Sequence, residues 1–107
     1  MNWHRICELD LLTPECGLPA LVGEHPVALF RTGDGELFAV GNVDPFSGAG
    51  VISRGIVGDR AGEPTVASPM LKQVFSLRTG RCLDDPDVRL PTYPVRSRES
   101  AVEIGVA

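Results

Sequence analysis

The chain has 107 residues, with ten Lys plus Arg against fourteen Asp plus Glu and a formal net charge of -4. That length fits one domain, 1–107, able to bury a single core without a metal or disulfide staple. The acidic balance argues against a nucleic-acid partner, and 43% apolar with 22% charged residues is globular rather than disordered composition.

No window approaches the roughly 20 apolar residues of a membrane span. The start "MNWHRICELD" lacks a basic-then-apolar signal pattern. The expectation is a cytoplasmic chain with no membrane partner.

Twelve glycines and nine prolines cut the sequence into apolar runs too short for ordinary helices. "NWHRICEL", "GLPALVG" and "HPVALFRT" read as three strands, and "ELFAVGN" follows as a fourth. Between the last two, Thr32-Gly33-Asp34-Gly35 supplies the Asp-Gly pair of a tight hairpin turn. Asp34 belongs there for turn chemistry rather than as a metal ligand.

Next comes "AVGNVDPFSGAGVISRG", a loop with the shape of a site. Only its "SGAGVIS" portion has room for a helical turn, which two glycines disfavour. Short strands follow at "RGIVGD", "EPTVASP", "QVFSLRTG" and "RCLDD", with Arg78-Thr79-Gly80-Arg81 as a second hairpin turn. The tail adds "RLPTYPVRS" and "AVEIGVA", in which Val102, Ile104 and Val106 share one side. Strands from end to end predict an all-β sandwich or small barrel of short antiparallel strands.

Catalytic chemistry is scarce. Cys7, Cys16 and Cys82 are odd in number and widely spaced, the first two within the opening strands, and all three are read as thiols. They form no CxxC, and His4 and His25 no HxxxH, so no zinc site is expected. Neither histidine shares a loop with a nucleophile, and no nucleotide or phosphate fingerprint occurs. Asp84, Asp85 and Asp87 around Pro86 read as a solvated loop.

The loops are more telling. One follows a strand at "VGNVDPF"; the other follows a strand at "VASPML" and leads to Phe75 and the Thr79-Gly80 turn. This layout resembles a Rieske ferredoxin domain, whose [2Fe–2S] cluster hangs between two loops that each give one Cys and one His. On that resemblance the ligand positions fall on Asn42 and Asp44 in the first loop and on Ser68 and Leu71 in the second, none of them a cluster ligand. Pro69, Phe75, Thr79 and Gly80 match the framing residues, while "RGIVGDRAGEPT" looks like an inserted hairpin.

A ligand-free Rieske-like chain with "W-x-x-I-C", "N-V-D-P-F", "S-R-G", "V-A-S-P-M-L-K-Q-x-F" and "C-x-x-D" in this order is similar to the small subunits of assimilatory NAD(P)H-dependent nitrite reductases. The resemblance implies nitrate assimilation in the cytoplasm, with a large-subunit partner carrying siroheme, [4Fe–4S] and FAD that reduces nitrite to ammonium with NAD(P)H. On this chain it implies no metal or other cofactor and no catalytic residue. Arg54, Arg60, Arg78 and Arg81 read as solvated charges rather than a nitrite site.

Two roles are then open to the loops. Asp44 or Ser68 can bond backbone N–H groups while Phe46 and Leu71 fill the space of the missing cluster. Pro45, Phe46, Pro69, Met70 and Leu71, rimmed by Arg54 and Lys72, can form an apolar docking patch. A β interaction module of another oxidoreductase, and a [2Fe–2S] carrier in its own right, are the competing classes.

Overall fold

The computed structural model describes residues 1–70 and 72–107; Leu71, expected both at a ligand position and in the patch, lies outside the described residues. Among the described residues ten strands form three antiparallel sheets. The first sheet joins β1 (Asn2–Glu8), β10 (Ala101–Val106) and β9 (Val95–Arg98) in that order. The second orders β2 (Gly17–Val22), β3 (His25–Arg31), β4 (Leu37–Gly41) and β8 (Thr92–Tyr93). The third orders β5 (Ile56–Arg60), β6 (Glu63–Ala67) and β7 (Val74–Ser76).

The second sheet is the middle layer, and β3 shows why. Its alternate side chains point to opposite faces, yet Val27, Ala28, Leu29 and Phe30 are all buried. Ala28 and Phe30 join Val40, Ile52, Val66, Phe75, Leu77, Cys82 and Leu90 in one core. Val27 and Leu29 join Leu12, Val22, Ala39, Val102, Ile104 and Val106 in a second, against the first sheet. The unbroken apolar run of "VALF" is what a strand covered on both faces requires.

The hairpin expected at Thr32–Gly35 is present, with Val27 to Arg31 paired against Gly41 to Leu37 and Gly35 at φ 89°. Other expectations need correction. Cys16 lies in the turn before β2 and is exposed, not in a strand. The helical turn forms at Ile52–Arg54, past the glycines. "RCLDD" makes only isolated bridges, Phe75 to Cys82 and Arg81 to Arg89. "RLPTYPVRS" is broken by Pro94, which has no N–H to donate, into β8 and β9.

The Thr79-Gly80 turn is a knot of hydrogen bonds. The Gly80 N–H donates to Ser76 O at 2.8 Å and Gly80 O accepts from Leu90 N at 2.7 Å. Ser76 Oγ accepts the Arg78 and Thr79 N–H groups at 3.2 and 3.3 Å and donates to Glu63 Oε2 at 2.5 Å. This turn anchors the strand that carries Phe75, the buried ring beneath the two loops.

Candidate functional site

The first loop leaves β4 at Asn42 and runs to the turn Ile52–Arg54. The second leaves β6 at Ser68 and re-enters the sheet at Val74. Gly55 holds them together: a side chain built there would meet Ala67 O at 2.5 Å, so only glycine lets the end of the first loop run against the start of the second. The second loop closes on itself through Ser68 N to Gln73 O (2.9 Å) and Lys72 N to Ser68 O (3.0 Å).

Of the four positions expected to correspond to cluster ligands, Asn42, Asp44 and Ser68 lie among the described residues, and each is committed to the loops. Asn42 Oδ1 accepts the Ser53 N–H at 2.7 Å, and its Nδ2 donates to Gly50 O at 3.4 Å, so the amide spans the first loop from within. Asp44 is fully buried. Its Oδ1 accepts the Phe46 N–H at 2.8 Å, an Asx turn, and a weaker Ser47 N–H at 3.4 Å. Its Oδ2 accepts the Ser68 hydroxyl in a short hydrogen bond that joins the two loops across 24 residues of sequence. Ser68 Oγ also accepts the Met70 N–H at 3.3 Å.

Chemically, this is a polar clasp rather than a cluster cradle. A [2Fe–2S] cluster on this fold takes two thiolates and two imidazole nitrogens. The donor set here is an amide, a carboxylate and a hydroxyl, already used by partners within the loops, and it does not fit the cluster. The cysteines lie elsewhere: Cys82 buried against Phe75, Cys7 half-buried in β1 where burial raises its thiol pKa above the ordinary value, and Cys16 exposed before β2. Among the described residues no three His, Cys, Asp or Glu side chains are gathered to hold a metal. Supplied with iron and sulfide during expression and refolding, the protein is expected to stay colourless and iron-free; a visible absorption band with stoichiometric iron overturns the misfit.

Around the clasp the loop tips are apolar. Pro45, Phe46, Arg54, Pro69, Met70 and Lys72 are all exposed. The Phe46 ring leans on Phe75, centroids 6.3 Å apart, and remains 36% exposed, while Met70 is 52% exposed. Val43, at 40% exposure, adds to this end of the molecule. Sequence reasoning missed Val43, and also Ile56, 77% exposed opposite Ala67, the residue from which the second loop departs. Their signal was apolar character on a loop and on an edge strand. The arginines divide: Arg78 makes a two-pronged ion pair with Glu36 (2.8 and 3.1 Å) and Arg60 approaches Asp84 at 3.7 Å, so neither is free for a small anion.

The Rieske-like [2Fe-2S] domain family matches residues 2–105. The chain is 39% identical over 104 residues to the nitrite reductase (NADH) small subunit of Escherichia coli K12, covering 96% of each. A crystal structure of an NADH-dependent nitrite reductase small subunit from Mycobacterium tuberculosis shares 52% identity and a TM-score of 0.96, over 99% of this chain and 96% of that one. The chain is also 42% identical over 103 residues to the Klebsiella oxytoca nitrite reductase [NAD(P)H] large subunit, where it spans 96% of its own length but 11% of that protein. With the sheets, the paired loops and these matches in agreement, the chain belongs to the family of Rieske-like [2Fe–2S] domains, in the branch of the NAD(P)H-dependent nitrite reductase small subunits.

Proposed function

We propose that the chain is the accessory small subunit of a cytoplasmic, assimilatory NAD(P)H-dependent nitrite reductase, and that the tip of its two loops docks on the large subunit. Nitrite reduction to ammonium then takes place on the siroheme, [4Fe–4S] and FAD of that partner, and this chain contributes surface rather than a redox centre. The observation that carries the reading is the clasp: Asp44 and Ser68 lock the loops with a hydrogen bond where a cluster would otherwise stand, while Phe46 and Met70 are left facing solvent. Exposed apolar side chains gathered at one end of a small domain mark a partner surface. The Klebsiella oxytoca match supports the choice of partner, since a domain of this kind is there part of a chain called a large subunit. No helix among the described residues is long and apolar enough to cross a membrane.

Phe46→Asp and Met70→Asp, made separately, test the surface. Each is expected to leave the thermal midpoint of the isolated chain within a few degrees. Each should weaken binding to the large subunit by about 2 kcal/mol, roughly thirtyfold in Kd, as loss of a central apolar anchor does. NAD(P)H-dependent nitrite consumption by the large subunit should respond to the wild-type chain and not to these variants at equal concentration. Binding of both variants at wild-type strength sinks the docking surface; indifference of the large subunit to the wild-type chain sinks the subunit reading.

A further inference from the structure

Val102, Ile104 and Val106 of β10 point into the second core, so Glu103 and Gly105 lie on the outer face of the first sheet. Trp3 stands opposite Gly105, and Glu103 lies between Arg5 of β1 and Arg96 of β9. The Arg96 guanidinium stacks over the Trp3 indole, 3.9 Å from the ring centroid, and its Nε donates to Glu103 Oε1 at 2.7 Å. Gly105 is closed over from outside: a Cβ there would come within 2.7 Å of Met1 Sδ and 3.2 Å of Pro94 Cγ. Met1, 74% exposed, the exposed Pro94 and the half-buried Trp3 thus gather at one end of the sheet.

Both ends of the domain lie there too. Asn2 pairs with Val106, one position along from the Trp3–Gly105 pair. In the Klebsiella oxytoca relative the match spans 96% of this chain and 11% of that protein. In an Emericella nidulans nitrite reductase, 28% identical over 109 residues, it spans 92% of this chain and 10% of that protein. The ends of the domain sit on neighbouring strands, so the remainder of such a longer chain departs beside Trp3 and Pro94 whichever end carries it.

From this juxtaposition we propose that Met1, Trp3 and Pro94, with Arg96 stacked on the indole, form a second contact surface for the large subunit. Its occupant is the part of the large subunit that the longer relatives join directly to the domain. The proposal rests on the subunit reading above and adds to it a surface built from residues other than the loop tips. Tryptophan and arginine are over-represented among the residues whose truncation costs an interface most, and tryptophan and methionine are enriched in interfaces generally. The Arg96 guanidinium already holds the Glu103 carboxylate of its own chain. The surface therefore suits an apolar or aromatic group of the partner, not an acidic one. An interface of ordinary size, about 800 Å² on each partner, takes in more than a single loop tip.

Two measurements on the complex with the large subunit test this surface. β1 is an edge strand, and its amides on the unpaired side exchange readily in the free chain. Deuterium uptake by residues 2–8 is expected to slow at least about twofold when the large subunit is added, as is uptake by residues 43–50 of the first loop. Trp3→Gln should raise the Kd about tenfold, and Trp3→Phe, which keeps an aromatic face for Arg96, should restore most of the affinity. Unchanged uptake over residues 2–8 with the first loop protected overturns the second surface and leaves the subunit reading standing. Wild-type Kd for Trp3→Gln does the same. The exchange measurement uses the wild-type chain, so it decides the matter even where Trp3→Gln does not fold. A wild-type chain that fails to bind the large subunit overturns both readings.

Discussion

Asp44→Ala is expected to lower the stability of the isolated chain by about 3 kcal/mol, a fall in thermal midpoint of roughly 12–24 °C for a domain of this size. The carboxylate is fully buried and is the common acceptor for the Phe46 N–H, the more distant Ser47 N–H and the Ser68 hydroxyl. Hydrogen bonds to a charged group are each worth about 1.5–3 kcal/mol, and a buried donor left unpaired costs its desolvation besides. Set against a total of about 5–15 kcal/mol for a small domain, the loss is large.

Two further variants separate the clasp from a general packing effect. Asp44→Asn keeps one acceptor for the Asx turn and can still meet the Ser68 hydroxyl, so about 1–2 kcal/mol is expected. Ser68→Ala removes only the cross-loop bond, and its loss should not add to that of Asp44→Ala. A drop of under about 3 °C for Asp44→Ala, or full additivity in the double variant, would show that the loops are held by something else.

Gly80→Ala is the second large effect, about 3 kcal/mol or more, from a different cause. Gly80 has φ 77°, a left-handed conformation that costs an ordinary residue about 1–2 kcal/mol. A Cβ there would also stand 2.1 Å from Leu90 O, a backbone atom that accommodates it only if the Gly80–Leu90 hydrogen bond gives way. Gly35→Ala is the control: φ is 89°, but nothing lies within 4 Å of the added methyl, so the conformational cost of about 1 kcal/mol stands alone. Equal chemical-denaturation losses for the two variants would remove the steric part of the argument.

Local features were legible in the sequence and tertiary ones were not. The hairpin at Asp34-Gly35 and the Thr79-Gly80 turn could be read because their chemistry is contained in three or four adjacent residues. The doubly buried run of β3 could be read as a strand but not as the middle layer, since a run of four apolar residues does not say what covers each face. The break at Pro94 was written in the sequence, yet apolar residues on both sides suggested one strand. Asn42, Asp44 and Ser68 could be placed at ligand positions only through family resemblance. That Asp44 would choose Ser68, rather than backbone alone, depended on how Gly55 brings the loops together. The Arg81–Arg89 pairing depended likewise on the register of a bridge too short to announce itself as a strand.

The pairing of β1 with β10 sets Asn2 opposite Val106, so the polypeptide enters and leaves the domain one strand spacing apart. Where the same kind of domain is covalently part of a larger protein, as the match to the Klebsiella oxytoca relative places it, the proposed docking would become an intramolecular event at an effective concentration in the millimolar range for a short linker. Without such a tether, docking at micromolar concentration would need about a thousandfold more from the affinity of the surface itself.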